Sequence, residues 1–263
     1  MTASNTRAAT PAWRIVARQE LTDLWGGRKG LTVLFGFTVL LSVLAYLAAA
    51  DAGIDLLDAR ESVGVIVQTA VGLGTLAALV VSADTISGER ERGTLESLLV
   101  TPLPRRDLVL GKLIAASTMW MAALVVATPY IAVMADGPGV ATDALLVLIV
   151  TSVLVGAALT GLGLAISSIS MSNRTSLAAA IASMLILAAP SQLPAVTAQG
   201  TLGTILVKLN PVSAGLQLAK EVLINQKSWG SQWDLLLSPV IAAIVFTVTA
   251  IALSSRIELG GAR

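Results

Sequence analysis

Residues Ala144–Ile169 read ALLVLIVTSVLVGAALTGLGLAISSI, and none of them is Asp, Glu, Lys or Arg. A bilayer's hydrocarbon core is about 30 Å thick and takes about 20 apolar residues of helix to cross. A charge at mid-helix would cost roughly 2.5–3.5 kcal/mol on insertion, so a charge-free run of this length predicts a transmembrane helix. Leu31–Ala50, Ser62–Ala83, Leu113–Ala135, Thr175–Val207 and Leu235–Ser255 are equally free of charge. Soluble proteins bury uncharged helices too, but six of spanning length have no place in a soluble chain of 263 residues. The composition agrees: charged residues make up 13%, about half the ~25% usual in soluble domains.

The fifth run is too long for one straight span. At about 1.5 Å per residue it would reach roughly 50 Å, and it carries Pro190 and Pro194, which remove helix donors and clash with the preceding turn. The helix is therefore expected from about Asn173 to Leu193, with Ser191, Gln192, Thr197 and Gln199 marking its exit. Gly200–Val207 is too short for a seventh crossing. The expected fold is an all-α membrane protein, one domain over 1–263, with spans at about 31–50, 62–83, 113–135, 144–169, 173–193 and 235–255.

Orientation follows from the rule that Lys and Arg collect on the cytoplasmic side. With the N-terminus inside, only Arg60, Lys208, Lys220 and Lys227 of the 17 Lys and Arg fall outside. Both termini are then cytoplasmic, in the plasma or inner membrane. Residues 12–25 alternate Trp13, Ile15, Val16, Leu21, Leu24 and Trp25 with Arg14, Arg18, Glu20 and Asp23. That pattern suits an interfacial helix with its tryptophans at headgroup depth. The main cytoplasmic excursion, Asp84–Lys112, begins DTISGERERGTLESLL, with a helical exit from the second span expected at Asp84–Gly88 and the charged segment over 84–107. A short amphipathic helix over Glu89–Leu99 is expected there, with Leu95, Leu98 and Leu99 on one face. Helices this short are marginal alone, so it must dock, either on the protein's own surface or on a cytoplasmic subunit. Pro102 and Pro104 stop it, and Asp107 can cap the third span. Between spans five and six, Asn210-Pro211 opens a helix expected over Ser213–Asn225, and Trp229 and Trp233 suit an interface.

The chain has no histidine and no cysteine, which removes Ser–His hydrolysis, the H-E-x-x-H zinc motif and thiolate chemistry. No G-x-x-x-x-G-K-[ST] stretch is present to cradle nucleotide phosphates. No span carries the ionisable residue that proton- or sodium-driven carriers place within the membrane. A bare membrane core beside a charged cytoplasmic segment points to an energy source outside the bilayer.

Trp13–Leu21 resembles the N-terminal "elbow" of ABC-2 type permeases. Asp84–Leu99, followed by Thr101-Pro102 and Gly111-Lys112, closely resembles their cytoplasmic segment between spans two and three. Gly161–Leu164 with Ser167-Ser168 resembles the inner end of their fourth span, and Asn210-Pro211 the start of their outer helices. The resemblance covers the chain in order and is nearest to six-span permeases of drug-export and nitrous-oxide-reductase maturation systems. It implies a permease that binds no cofactor itself and works with two copies of a separate ATPase that bind ATP and Mg. It also implies pairing with a second permease chain as a homodimer in the lipid bilayer, with no nucleic-acid partner. Gly88, Glu89, Arg90, Glu91, Arg92, Gly93, Thr94 and Glu96, with Arg14, Arg18 and Glu20 of the elbow, would then meet the ATPases. Gln68, Thr69 and Thr75 on the second span, with Ser183 and Gln192 on the fifth, are candidates to line the path, or else helix-packing contacts. Two other classes stay open: a non-transporting scaffold or assembly factor docking through the same segment, and a transporter or channel working without nucleotide.

Overall fold

The computed structural model describes residues 11–50, 56–95, 104–192 and 201–256, and every regular element among them is helical. A short helix α1 (Ala12–Leu21) and a π-helical turn precede α2 (Lys29–Ala50) and α3 (Leu56–Glu91). Next come α4 (Arg105–Asp136), α5 (Ala141–Ile169) and α6 (Asn173–Ala188). The short α7 (Thr201–Leu209) and α8 (Pro211–Leu223) lead to α9 (Asp234–Leu253). Six of these, α2 to α6 and α9, are long and apolar enough to cross a membrane.

Burial separates the spans into two classes. In their most apolar stretches α3 is 61% and α5 56% buried, against 11% for α2 and 17% for α6. The central pair is thus α3 and α5, with α4 and α9 packed on α5 and α2 and α6 turned largely outward. In lipid there is no hydrophobic drive between helices, so small residues permit the closest approaches. Gly163 supplies one: a Cβ there would stand 2.6 Å from the Leu79 carbonyl oxygen of α3. A second close approach seats α1 on α4, where buried Val16 and Ala17 lie against Gly111.

At the end of the bundle opposite α1, α7 and α8 form the expected excursion. The Asn210 side chain accepts from the N–H groups of Val212 at 3.1 Å and Ser213 at 3.2 Å. Pro211 fits behind it, since a first-turn residue needs no N–H. Ala214, Leu218, Val222 and Leu223 then bury one face of α8 in the main core. Burial pushes the Glu221 carboxyl upward, but bonds from Lys227 (2.8 Å), Asn225 (2.9 Å) and Gln217 (2.8 Å) outweigh it. They hold the group below its ordinary range.

Several boundaries differ from the expectations. The second span does not end at Asp84–Gly88: α3 runs on to Glu91 and stops at a turn where Gly93 has φ +71°. Glu89–Glu91 are its last turn rather than the start of a separate helix. Ile86 and Ser87 are buried there against α5, which rewards continuing the helix. Asp107 lies in the first turn of α4, behind Pro104, and does not cap it. Trp25 is half-buried and donates to Thr118 Oγ1 at 3.1 Å, which ties the end of this segment to α4. The fifth span ends as a 3-10 turn, Ala189–Gln192, while Leu193 lies outside the described residues.

Candidate coupling site at the end of the second span

Lys112 lies about two turns into α4 among Leu108, Val109 and Leu113, and its side chain is 0% exposed. An ammonium has three donors, and here each has an acceptor. Its Nζ meets Glu20 Oε1 at 2.5 Å, Glu89 Oε1 at 2.7 Å and the Thr85 carbonyl oxygen at 3.2 Å. One lysine therefore ties α1, α3 and α4 together. The carboxylates stay 18% and 14% exposed because they border an open cavity of about 340 Å³, shared with Asp23, Lys29 and Asp84. That solvated side limits the cost of gathering three charges at the edge of the bundle.

The next two residues of α3 face a different neighbour. The Arg90 guanidinium donates to the Ser170 carbonyl and, at 3.5 Å, to that of Ser168. Glu91 Oε2 accepts the Asn173 N–H at 3.0 Å. Ser167 Oγ accepts the N–H groups of Ile86 (3.0 Å) and Ser87 (2.9 Å). Asn173 donates to Asp84 Oδ1 at 2.7 Å and accepts from the Ser87 hydroxyl at 3.1 Å. Past the Gly93 turn the chain is pinned again, because Leu95 is buried among Ile86, Leu108, Leu164 and Ala250. The apolar face expected on this segment thus docks, at Leu95, on the protein's own bundle.

These contacts redistribute the predicted site. Glu20, Glu89 and Arg90 turn inward and are committed to partners within the chain, and Gly88 is buried. They do not form the open charged face that the local sequence suggests. Arg14, Arg18, Glu91, Arg92, Gly93 and Thr94 are exposed; Glu96 lies outside the described residues. Sequence reasoning missed the role of Lys112, placing it at the end of the cytoplasmic excursion with no partner assigned. Its position inside an apolar stretch, LVLGKLIAA, was the available signal.

Three of the path candidates among the described residues bond locally. Thr69, Thr75 and Ser183 each bond to a carbonyl of their own helix, at 2.8, 2.7 and 2.7 Å. Thr75 is 1% exposed and sits between α3, α4 and α5, so it does not face a partner chain. Gln68 is half-buried, and the Gln192 side chain lies outside the described residues. No hydrogen bond joins Gln68, Thr69, Thr75 or Ser183 to one another among the described residues.

The chain belongs to the ABC-2 family transporter proteins, whose family profile matches residues 14–259. It is 37% identical over 103 residues to the probable ABC transporter permease protein NosY of Stutzerimonas stutzeri, covering 39% of this chain and 37% of that one. It is 38% identical over 98 residues to the NosY protein of Pseudomonas aeruginosa, covering 37% and 36%. It is 26% identical over 177 residues to the probable multidrug ABC transporter permease YbhR of Escherichia coli strain K12, covering 62% and 45%. The chain thus spans less than half the length of each of these relatives.

Proposed function

We propose that this chain is the permease subunit of an ATP-driven ABC exporter, set in the plasma or inner membrane with both termini cytoplasmic. A separate ABC ATPase, in two copies, binds ATP and Mg and docks at the α1 end. The observation that carries this reading is the exposed Arg92–Thr94 turn, mounted on a helix end that is itself fixed to α1, α4, α5 and α6. A turn that is exposed on its outer side and held firmly on its inner side passes an applied displacement to the spans joined to it. The outward apolar face of α6, with Ile181, Leu185 and Ile186, supports pairing with a second copy. A path with few polar groups suits an amphiphilic cargo.

The test is co-expression with candidate ABC ATPase subunits from the same source. The complex is expected to purify intact in lipid nanodiscs and to hydrolyse ATP at a rate that depends on the permease. Arg18→Glu with Arg92→Glu, both exposed, should weaken ATPase retention at least ~10-fold, about 1.4 kcal/mol, while membrane insertion is unchanged. A wild-type chain that neither retains the ATPase nor alters its hydrolysis contradicts the proposal.

A further inference from the structure

Arg90 and Glu91 are neighbours in sequence, yet they serve opposite helix ends. The last carbonyls of a helix lack intrahelical donors and carry partial negative charge, while the first N–H groups lack acceptors and carry partial positive charge. Arg90, a cation, holds the carbonyls of Ser168 and Ser170 where α5 ends. Glu91, an anion, holds the first N–H of α6, that of Asn173. Each charge matches the dipole end it meets, and exchanging the two would make both contacts repulsive.

Only Ser170–Ser172 separate α5 from α6. Three non-helical residues between two spans would ordinarily make a hinge. Here both flanks are gripped by α3: Ser167 bonds the backbone of Ile86 and Ser87 on one side, and Asn173 bonds Ser87 and Asp84 on the other. One turn further on, the Ser176 hydroxyl donates to the Ala83 carbonyl at 2.8 Å. The two spans meeting at this junction are held very differently. The most apolar stretch of α5 is 56% buried and that of α6 only 17%, so α6 is the one with room to tilt.

We propose that Arg90 and Glu91 are positioning residues that make the α5–α6 junction travel with the end of α3, so that displacement of the Arg92–Leu95 turn is delivered to α6. This rests on the reading of the chain as an ATP-driven permease. The ATPase does not need to touch α6 to move it, because the clamp carries the motion across.

The chain has no native cysteine, so pairs of introduced cysteines can carry spin labels without background. Two pairs are measured in the complete permease–ATPase complex, with and without a non-hydrolysable ATP analogue. Arg92→Cys with Arg174→Cys spans the clamp, and Arg174→Cys with Ile244→Cys reports α6 against α9. The first distance is expected to stay narrow and unchanged by nucleotide, while the second shifts by several ångström. With Glu91→Ala added to the second pair, or Arg90→Ala and Glu91→Ala together, that shift should be lost although hydrolysis continues. Added to the first pair, Glu91→Ala should make its distance nucleotide-dependent. Arg90→Lys with Glu91→Gln keeps a donor and an acceptor and should restore the wild-type pattern. If the double alanine variant does not insert, Glu91→Ala, whose carboxylate is exposed, carries the comparison. A nucleotide-dependent first distance in the wild type, an unmoved second distance despite hydrolysis, or a wild-type pattern in Glu91→Ala overturns the clamp alone. A wild-type complex with neither hydrolysis nor any nucleotide response overturns the transporter reading, and the clamp with it.

Discussion

Lys112→Met is expected to destabilise the purified chain by about 3–5 kcal/mol, the usual cost of removing one partner from a buried ion pair. The substitution preserves much of the side-chain volume but leaves Glu20 and Glu89 facing each other without the ammonium that now binds both, at 2.5 and 2.7 Å. Replacing all charged partners of a buried cluster together is often close to neutral. Lys112→Met with Glu20→Gln and Glu89→Gln should therefore recover most of the loss. The pair between Lys29 and Asp84 is the internal reference: its lysine is 61% exposed, and such surface pairs contribute only ~0–1 kcal/mol. Unfolding of Lys112→Met, the triple variant and Lys29→Ala in the same detergent, followed by tryptophan fluorescence, decides the matter. Equal losses for Lys112→Met and Lys29→Ala would show that the buried junction does not hold α1 to α3.

Gly163→Ala is the second large effect. The added methyl carbon would stand 2.0 Å from Ser82 Oγ, 2.6 Å from the Leu79 carbonyl oxygen and 3.2 Å from the Ala83 nitrogen. Ser82 can rotate away, but the other two atoms are backbone, so α3 and α5 must move apart. Overpacking a well-filled interior costs about 1–3 kcal/mol, and a clash with backbone at the central helix pair belongs at the upper end. Gly72→Ala, on α3, meets nothing within 4 Å and should lose nothing, because alanine favours a helix by up to ~1 kcal/mol over glycine. Opposite outcomes for two Gly→Ala changes, read as melting temperature and monodispersity, test whether backbone contact at Gly163 sets the α3–α5 spacing. A Gly163→Ala protein as stable as wild type would refute it.

The spans were legible because lipid imposes one rule on every crossing residue, and six charge-free runs obey it without reference to any neighbour. Asn210-Pro211 was legible for a similar reason, since a helix cap acts within a few residues. What governs Glu89, Arg90 and Glu91 lies far away in the chain. Their partners are Lys112, the end of α5 and the start of α6, the last two about 80 residues distant. A local amphipathic reading sees only alternating charge and assigns it to an outward face. The same reading ended the second span too early, because the gain from continuing the helix comes from Ser167 and Asn173 on other elements. Lys112 escaped notice because position in the chain does not show that two carboxylates converge on it.

The central claim is that the turn after α3 faces the cell interior, within reach of a nucleotide-driven partner. Arg92→Cys, a lone thiol in a chain with no other, tests it most directly with a membrane-impermeant maleimide. Labelling is predicted in inside-out vesicles and not in right-side-out ones, with protection when the ATPase is bound. Reaction in sealed right-side-out vesicles would place this turn on the external face and contradict the claim.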